Sequence, residues 1–422
     1  MIAGNNRAPV MSHRAYDLAV FGATGFVGRR LAEYLANHRD RSRIRLAIAG
    51  RDRGRLEQLR GRLEAHSSEV GIVVADARDS ASIDALASAA RVVVSTAGPF
   101  AQYGDELVAA CVRHGTHYVD ITGETVWVRR LIDRHHAQAA RDGTRIVPFC
   151  GFDSVPSDLG ALLVARRVER RFGARCAQAE TAFRMRGGLN GGTISTFLQL
   201  FERGETRAAR DPFLLDPGGI HPDKERARAR DPESVRYDAD FDAWLGPFAM
   251  GPINTRVVRR SAALSGLRGE PYGPDGTGFH YQEYLRYGGP LGRGNALLAT
   301  ASFAALMAAM RWPTSRAWLK AVLPKPGQGP SERTISSGWF HAETIGRTAD
   351  GRRARTTMAL RGDPGNAATL RFAAESGLCL ALDADRLPGG RAYGGVLTPA
   401  SALGEALVPR LRACGFEMGV DD

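Results

Sequence analysis

YDLAVFGATGFVG, residues 16–28, sets a short apolar run directly against a loop with glycine at Gly22, Gly25 and Gly28. Leu18 to Phe21 has the length and apolarity of a strand buried on both faces, as the central strands of parallel sheets are. Beyond the loop, Phe26, Val27, Leu31, Tyr34 and Leu35 recur at helical spacing, so the turn lies where a helix must begin. A tight glycine turn lets backbone N–H groups approach the oxygens of a pyrophosphate, while the positive end of the helix faces its charge. The third glycine lets helix and strand pack closely. A glycine triplet alone also fits an ordinary strand–turn–helix connection. With a strand before it, a helix after it and a second strand ending about twenty residues on, it reads as a dinucleotide site. Gly22, Ala23, Thr24, Gly25, Phe26, Val27 and Gly28 are its candidate lining.

The second strand, Ile44 to Ala49, ends at Gly50-Arg51-Asp52-Arg53. An acidic residue here accepts hydrogen bonds from an adenosine ribose, whereas an arginine pairs with a 2′-phosphate. Gly50-Arg51, with Arg53 close behind, favours NADP(H) over NAD; Asp52 is read as the cap of a helix from Arg53 to Ala65. Alternation then continues through strands Val70–Ala75, Val92–Ser95, His117–Ile121 and Arg145–Phe149, with helices Ser82–Ala90, Asp105–His114 and Thr125–Arg141 between them. This order predicts an α/β fold with a Rossmann-type doubly wound parallel sheet. Asp76, just past the third strand, is placed either to reach the adenine amino group or to cap a helix.

Ligands of such sheets lie outside the carboxyl ends of the strands. Three loops leave there. Ser95-Thr96-Ala97-Gly98-Pro99-Phe100 offers small residues and fixed backbone, with Ala97, Gly98 and Pro99 able to flank a nicotinamide ring and Tyr103 a phenol just beyond. Asp120-Ile121-Thr122-Gly123-Glu124 and Gly151-Phe152-Asp153-Ser154-Val155-Pro156-Ser157-Asp158 each gather polar groups. Thr122 and Ser157 also suit helix N-caps, the better reading for Ser157.

From about Cys176 the texture changes. Ala179–Met185, Thr255–Arg260, His280–Arg286 and Trp339–Leu360 read as antiparallel strands, the last a hairpin turning at Asp350-Gly351; a helix is expected near Thr193–Glu202. The predicted division is a disordered leader (1–15), a nucleotide-binding domain (16–160), an inserted α+β domain (161–364) and C-terminal helices returning to the first domain (365–422), with one helix from Ala400 to Cys414. Ala296–Met310 is the most apolar run but is shorter than the roughly 20 residues of a bilayer span. A buried helix is preferred to a membrane-surface element.

The chain has 422 residues, 44% of them hydrophobic, and a formal net charge of +12 carried almost wholly by arginine, since Lys224, Lys320 and Lys325 are the only lysines. Its basic residues are dispersed without aromatic interleaving, against nucleic-acid binding. Five scattered cysteines without a CxxC pair point to a reducing compartment, the cytoplasm, and away from structural zinc. A short-chain dehydrogenase would place Tyr four residues before Lys, but Ile220, Arg316 and Ala321 stand there. There is no HExxH helix, and Ser154 lies outside any GxSxG.

VFGATGFVG (20–28), Ala49-Gly50-Arg51, Ala97-Gly98-Pro99-Phe100, Tyr118-Val119-Asp120, GFDSVPSD (151–158) and Gly395-Val396-Leu397-Thr398-Pro399 together resemble the saccharopine dehydrogenase-like oxidoreductases, and within them the trans-acting enoyl reductases. The resemblance covers nearly the whole chain, and GFDSVPSD is far more specific than the glycines. It implies NADP(H) dependence, reduction of a double bond on a polyketide or lipid thioester held by a separate synthase or acyl carrier protein, and a link to glycolipid synthesis or membranes. It brings no established catalytic residues. As proton donor to the α-carbon, Tyr103 is named first and Asp153 second, the latter through a carboxyl pKa raised by burial. The alternatives are reduction of an imine or carbonyl on a small amino-acid-like substrate, for which Arg184, Arg186 and Arg256 are available, and an NADP-binding scaffold without turnover. Peripheral membrane contact and a homodimer complete the expectations.

Overall fold

The computed structural model describes residues 14–64, 69–188, 198–216, 218–219, 221–267, 278–322 and 329–420. Strands β1 (Tyr16–Phe21), β2 (Leu46–Gly50), β3 (Gly71–Val74), β4 (Ala90–Ser95), β5 (His117–Asp120) and β6 (Arg145–Val147) form a parallel sheet, in the order β6-β5-β4-β1-β2-β3. Past Asp17 and Arg91, which pair at their amino ends, the central strands carry apolar runs, and Leu18, Ala19, Val20, Val92, Val93 and Val94 are wholly buried. Each fully buried Val or Leu contributes about 1.5–3 kcal/mol over an exposed one, so the alternating helices are held by this sheet rather than by their own propensity. Helices α1 (Phe26–Ala36), α2 (Arg53–Glu64), α3 (Ser80–Ala89), α4 (Phe100–Tyr103), α5 (Asp105–His114), α6 (Thr125–Arg141) and α7 (Val155–Phe172) follow the strands in turn. The Rossmann-type α/β fold is therefore present as expected.

A second seven-stranded sheet is built from β7 (Gln178–Arg186), β8 (Arg236–Asp238), β9 (Ala243–Pro247), β10 (His280–Tyr287), β11 (Trp339–Arg347) and β12 (Arg353–Arg361), closed at its edge by a C-terminal strand, Glu417–Val420. The β11–β12 hairpin turns through Gly351 at φ +87°, a conformation glycine adopts without strain. The two sheets share one core, in which Leu18 and Val20 of the first lie in the same apolar cluster as Phe183, Phe340 and Met358 of the second. Helix α7 runs through residue 160 and packs on β11 and β12. The C-terminal segment joins both sheets. Gly395–Val396 (β13) extends the first beside β6, and Glu417–Val420 (β14) pairs with β12.

Five sequence expectations differ from the structure, the first being that β10 and β7, read as antiparallel strands, pair in parallel. Thr255–Arg260 is helical, inside α8 (Gly251–Leu264), which starts with Pro252 in its first turn. The apparent alternation arose from Arg256, Arg259 and Arg260, which are buried by donating to backbone carbonyls and so behave as interior residues. The expected helix from Ala400 to Cys414 is broken into Pro399–Leu403, a 3-10 turn and Leu407–Ala413. The break falls at Gly404, φ +54°, where Pro388 leaves no room for a side chain. Ser157 is not the N-cap, which is Ser154, but lies in the first turn of α7, its hydroxyl donating to Glu283. Lastly, the apolar run is not buried. It forms α9 (Gly292–Ala309), of which only Gly292 and Ala296 are buried, followed by α10 (Pro313–Val322).

Residues 198–202 are helical, and the remainder of the helix expected near Thr193 lies outside the described residues, as does most of the leader. Among the described residues no single helix is long and apolar enough to cross a membrane.

Candidate functional site

The glycine loop is shaped by contact distances that only glycine tolerates. Gly22 has φ +81°, and a Cβ on it would meet the Ala97 nitrogen and Thr96 Oγ1 at 3.0 Å. A Cβ on Gly28 would lie 2.2 Å from the Gly22 carbonyl oxygen, so α1 rests directly on the turn. Thr96 Oγ1 donates to the carbonyls of Phe21 (3.2 Å) and Gly22 (3.3 Å), tying the loop after β4 to the loop after β1. The first turn of α1 has no acidic residue, and its N-cap, Gly25, supplies no side-chain cap. Its N–H groups and the helix dipole are left to an anion. The cradle fits a pyrophosphate.

Beside it, a cleft is lined by Thr24, Gly25, Phe26, Arg29, Arg55, Gln58, Leu59 and Arg62. Arg55 is aimed by donating to the Thr24 carbonyl at 3.2 Å. Three arginines around the turn suit a further phosphate, such as one on an adenosine ribose. Arg51 is exposed just past Gly50 but does not line this cleft, and Arg29, Arg55 and Arg62 went unnoticed in the sequence because their convergence depends on how α1 and α2 pack. Asp52 accepts from the Arg55 N–H at 3.0 Å, the helix cap expected of it. The α3 cap is Asp79, and Asp76 accepts from Arg78 N within its own loop.

At the other strand ends, Glu124 has an unforeseen place. Its two carboxylate oxygens accept the N–H groups of Phe100 (2.8 Å) and Ala101 (2.9 Å), so it holds the Ala97-Gly98-Pro99 loop by the first turn of α4. Burial raises its carboxyl pKa, and those backbone donors and Arg203 pull against the rise. The aromatic ring of Tyr103 lies under Arg78, 5.9 Å from the guanidinium carbon, and so leans toward β3.

Asp153 lies in a different loop, the one after β6. A Cβ on Gly123 would be 3.9 Å from its Oδ2 and 3.2 Å from Ile253, so its carboxylate borders the loop after β5. The two expected proton donors are thus not brought together. Asp153 accepts no hydrogen bond among the described residues, and burial alone pushes its pKa up to about 6. Its loop is held on every side. Asp120, buried, accepts from Tyr118 Oη, Thr122 N and Phe149 N, the last in a left-handed conformation (φ +68°). Ser154 donates to Asn254, whose Nδ2 donates to Glu283, which also takes the Ser157 hydroxyl at 2.6 Å and Tyr281 Oη at 3.0 Å. Asp158 binds Ser261 and the Ala400 N–H, adding the C-terminal segment. These carboxylates are occupied, and Asp153 among them is left free.

Next to Gly123 and Ile253 opens a mainly apolar cleft, lined also by Val126, Leu200, Ala249 and Pro252, with Glu124, Arg203 and Glu205 as its charged groups. Arg256 is engaged elsewhere. It is buried, paired with Asp231 and donating to the carbonyls of Ala209, Arg210 and Asp211. Arg184 lies against the Trp339 ring. No group of three or more metal-ligating side chains occurs among the described residues.

Residues 18–147 match the family model of the saccharopine dehydrogenase NADP binding domain. The chain is 37% identical to the trans-acting enoyl reductase of Mycobacterium bovis (strain BCG / Pasteur 1173P2) over 437 residues, covering 97% of this chain and 98% of that protein. To the trans-acting enoyl reductase of Mycobacterium ulcerans (strain Agy99) it is 36% identical, covering 96% and 97%. Among solved structures it is similar to apo saccharopine dehydrogenase (L-Glu forming) from Saccharomyces cerevisiae, with 12% identity, TM-score 0.48, and 96% of this chain and 100% of that one covered. Fold and site define a Rossmann-type oxidoreductase that uses NADP(H). The chain belongs to the saccharopine dehydrogenase family, in its trans-acting enoyl reductase branch.

Proposed function

We propose that this enzyme reduces the carbon–carbon double bond of an enoyl thioester carried by a polyketide synthase or its acyl carrier protein, in the making of a lipid or glycolipid. The observation that carries this reading is Asp153, a carboxylate without a partner among the described residues, beside an apolar cleft at the carboxyl end of the sheet. NADPH, when bound, supplies the hydride. The Gly22–Gly28 loop would hold its pyrophosphate, Arg55 with Arg29 and Arg62 its 2′-phosphate, with Arg51 just past Gly50 a further cation for it, and Ala97, Gly98 and Pro99 its nicotinamide, the last three held in place by Glu124. The cleft would seat the acyl chain and exclude water. Asp153 would then give its proton to the α-carbon. With a pKa of about 6, roughly a tenth of it is protonated at pH 7, enough for a general acid. An amino-acid-like substrate fits less well, because its carboxylates need cations and Arg256 is already paired.

NADPH consumption by the purified protein tests the substrate class. Enoyl thioesters on pantetheine or carrier protein should be turned over, and 2-oxo acids with amino acids should not. The reverse pattern would move the enzyme to imine or carbonyl reduction. The cofactor assignment has its own test, since a charge-assisted hydrogen bond is worth about 1.5–3 kcal/mol, or about 10–100-fold in affinity. Arg55→Ala is therefore expected to weaken NADPH binding by about that factor and leave NADH binding unchanged, and Arg51→Asp to shift the ratio in the same direction. An unchanged NADPH-to-NADH ratio in both variants would remove the arginines from the 2′-phosphate site.

A further inference from the structure

Helices α9 and α10 form the least covered apolar surface of the molecule. An α-helix that is apolar on every side belongs in a core or in lipid. Helix α9 has that composition, yet only Gly292 and Ala296 of it are buried, against β9 and β10, while Met307 at its far end packs on the small cluster of Leu198, Met310 and Leu319. Leu297 (50% exposed) and Leu298 (69%) point away from the body, and Leu306 follows them one side of the helix further on. The chain then bends by 112° into α10, and two tryptophans, Trp312 (69%) and Trp318 (64%), stand exposed at and after the bend. Arg316 closes the bend by donating to the carbonyls of Met310 and Arg311 at the end of α9.

Charge identifies what covers this surface. Between Glu283 and Glu332 the sequence has no acidic residue, although 45 Asp and Glu in 422 residues would place roughly five there. The same stretch holds Arg293, Arg311, Arg316 and Lys320, the last paired with Glu202 of the neighbouring segment. A face for a second protein copy has no reason to lack one sign of charge, whereas a lipid surface with anionic headgroups does. Tryptophan beside leucine, with arginine and lysine at the margins, is the composition of an element lying in the membrane interface. The 18 residues of α9 extend about 27 Å, short of a tilted span, and the sharp bend lets both helices lie flat.

We infer that the α9–α10 hairpin seats the enzyme peripherally on an anionic phospholipid surface, with Leu297, Leu298, Trp312 and Trp318 entering the acyl boundary. This goes beyond the catalytic reading and stands independently of it, since none of these residues belongs to the nucleotide or acid site.

Flotation of the full-length protein with vesicles tests it. Binding to vesicles of phosphatidylglycerol and cardiolipin should exceed binding to phosphatidylcholine at least tenfold at low salt and weaken as salt rises. The double variant Leu297→Glu/Leu298→Glu should lose at least tenfold of that binding while its NADPH affinity stays the same, which separates lipid contact from misfolding. Acyl chains brominated near the headgroup should quench tryptophan emission in the native chain and not in Trp312→Phe/Trp318→Phe. Unchanged flotation of the glutamate variant would overturn the inference, as would equal or no flotation on both lipids. A lipid-free dimer dissolved by the same glutamates would overturn it too, giving the surface to a second copy of the chain.

Discussion

Asp153→Asn lowers the turnover of enoyl thioester by about 10²–10⁴-fold, the usual contribution of a positioned general acid, while the dissociation constant for NADPH stays within a factor of two or so. The amide keeps the shape of the carboxyl group but cannot give up a proton. The pH dependence carries a sign that a structural role would not produce. An acid must be protonated to act, so the native rate is expected to be level below the Asp153 pKa of about 6 and to fall tenfold per pH unit above it. The residual activity of the variant should lack that limb. Measurement of kcat from pH 5 to 9 under saturating NADPH decides the matter: a native profile without the limb, or a variant within about threefold of native, would remove Asp153 from proton transfer and return attention to Tyr103.

Gly28→Ala is expected to weaken NADPH binding by at least about 100-fold and to destabilise the fold by about 1–3 kcal/mol, the usual cost of overpacking. The added carbon would lie 2.2 Å from the Gly22 carbonyl and 2.6 Å from Thr96 Oγ1, and the carbonyl belongs to backbone that cannot rotate away. Either α1 lifts off the turn or the turn moves, and both spoil the array of N–H groups. Gly61→Ala is the matched control, because nothing lies within 4 Å of its added carbon and it sits inside α2, where alanine is the better helix former by about 0.5–1 kcal/mol. Thermal unfolding of the two variants should therefore move in opposite directions, while titration of NADPH fluorescence should change for Gly28→Ala alone, and a Gly28→Ala protein that binds NADPH normally would mean the dinucleotide sits elsewhere.

The parallel sheet and its nucleotide loop were legible because they are written locally. β1, the glycines and α1 occupy twenty-one consecutive residues, Tyr16 to Ala36, and their periodicities need no distant partner. The place of the Asp153 loop was legible for a related reason, since it leaves a strand end whose position the alternation already fixes, while its proposed role rests on the turnover experiment. What stayed hidden depends on contacts far apart in sequence. Glu124 reaches back to Phe100 and Ala101, and Ser157 meets Glu283 across 126 positions, which made a buried network member look like a helix cap. Arg256, Arg259 and Arg260 imitated a strand because arginine counts as polar in any pattern, even when carbonyl oxygens satisfy it inside the protein. Helix α9 misled in the opposite sense. An all-apolar run has one periodicity whether protein or lipid surrounds it, so only the exposure of Leu297 and Leu298 distinguishes the two.

If the proposed sites hold, Glu124 stands between two ligands. One side of its carboxylate grips the first turn of α4 behind Ala97-Gly98-Pro99, and the same group lines the apolar cleft. An acyl chain that disturbs this grip changes the seat of the nicotinamide, and thermodynamic reciprocity then requires the dinucleotide to change the affinity for the acyl chain by the same factor. On the proposed reading, order of binding would then be a property of a single side chain: the enzyme would favour a thioester arriving after the reductant by the cost of pulling one carboxylate off two backbone amides.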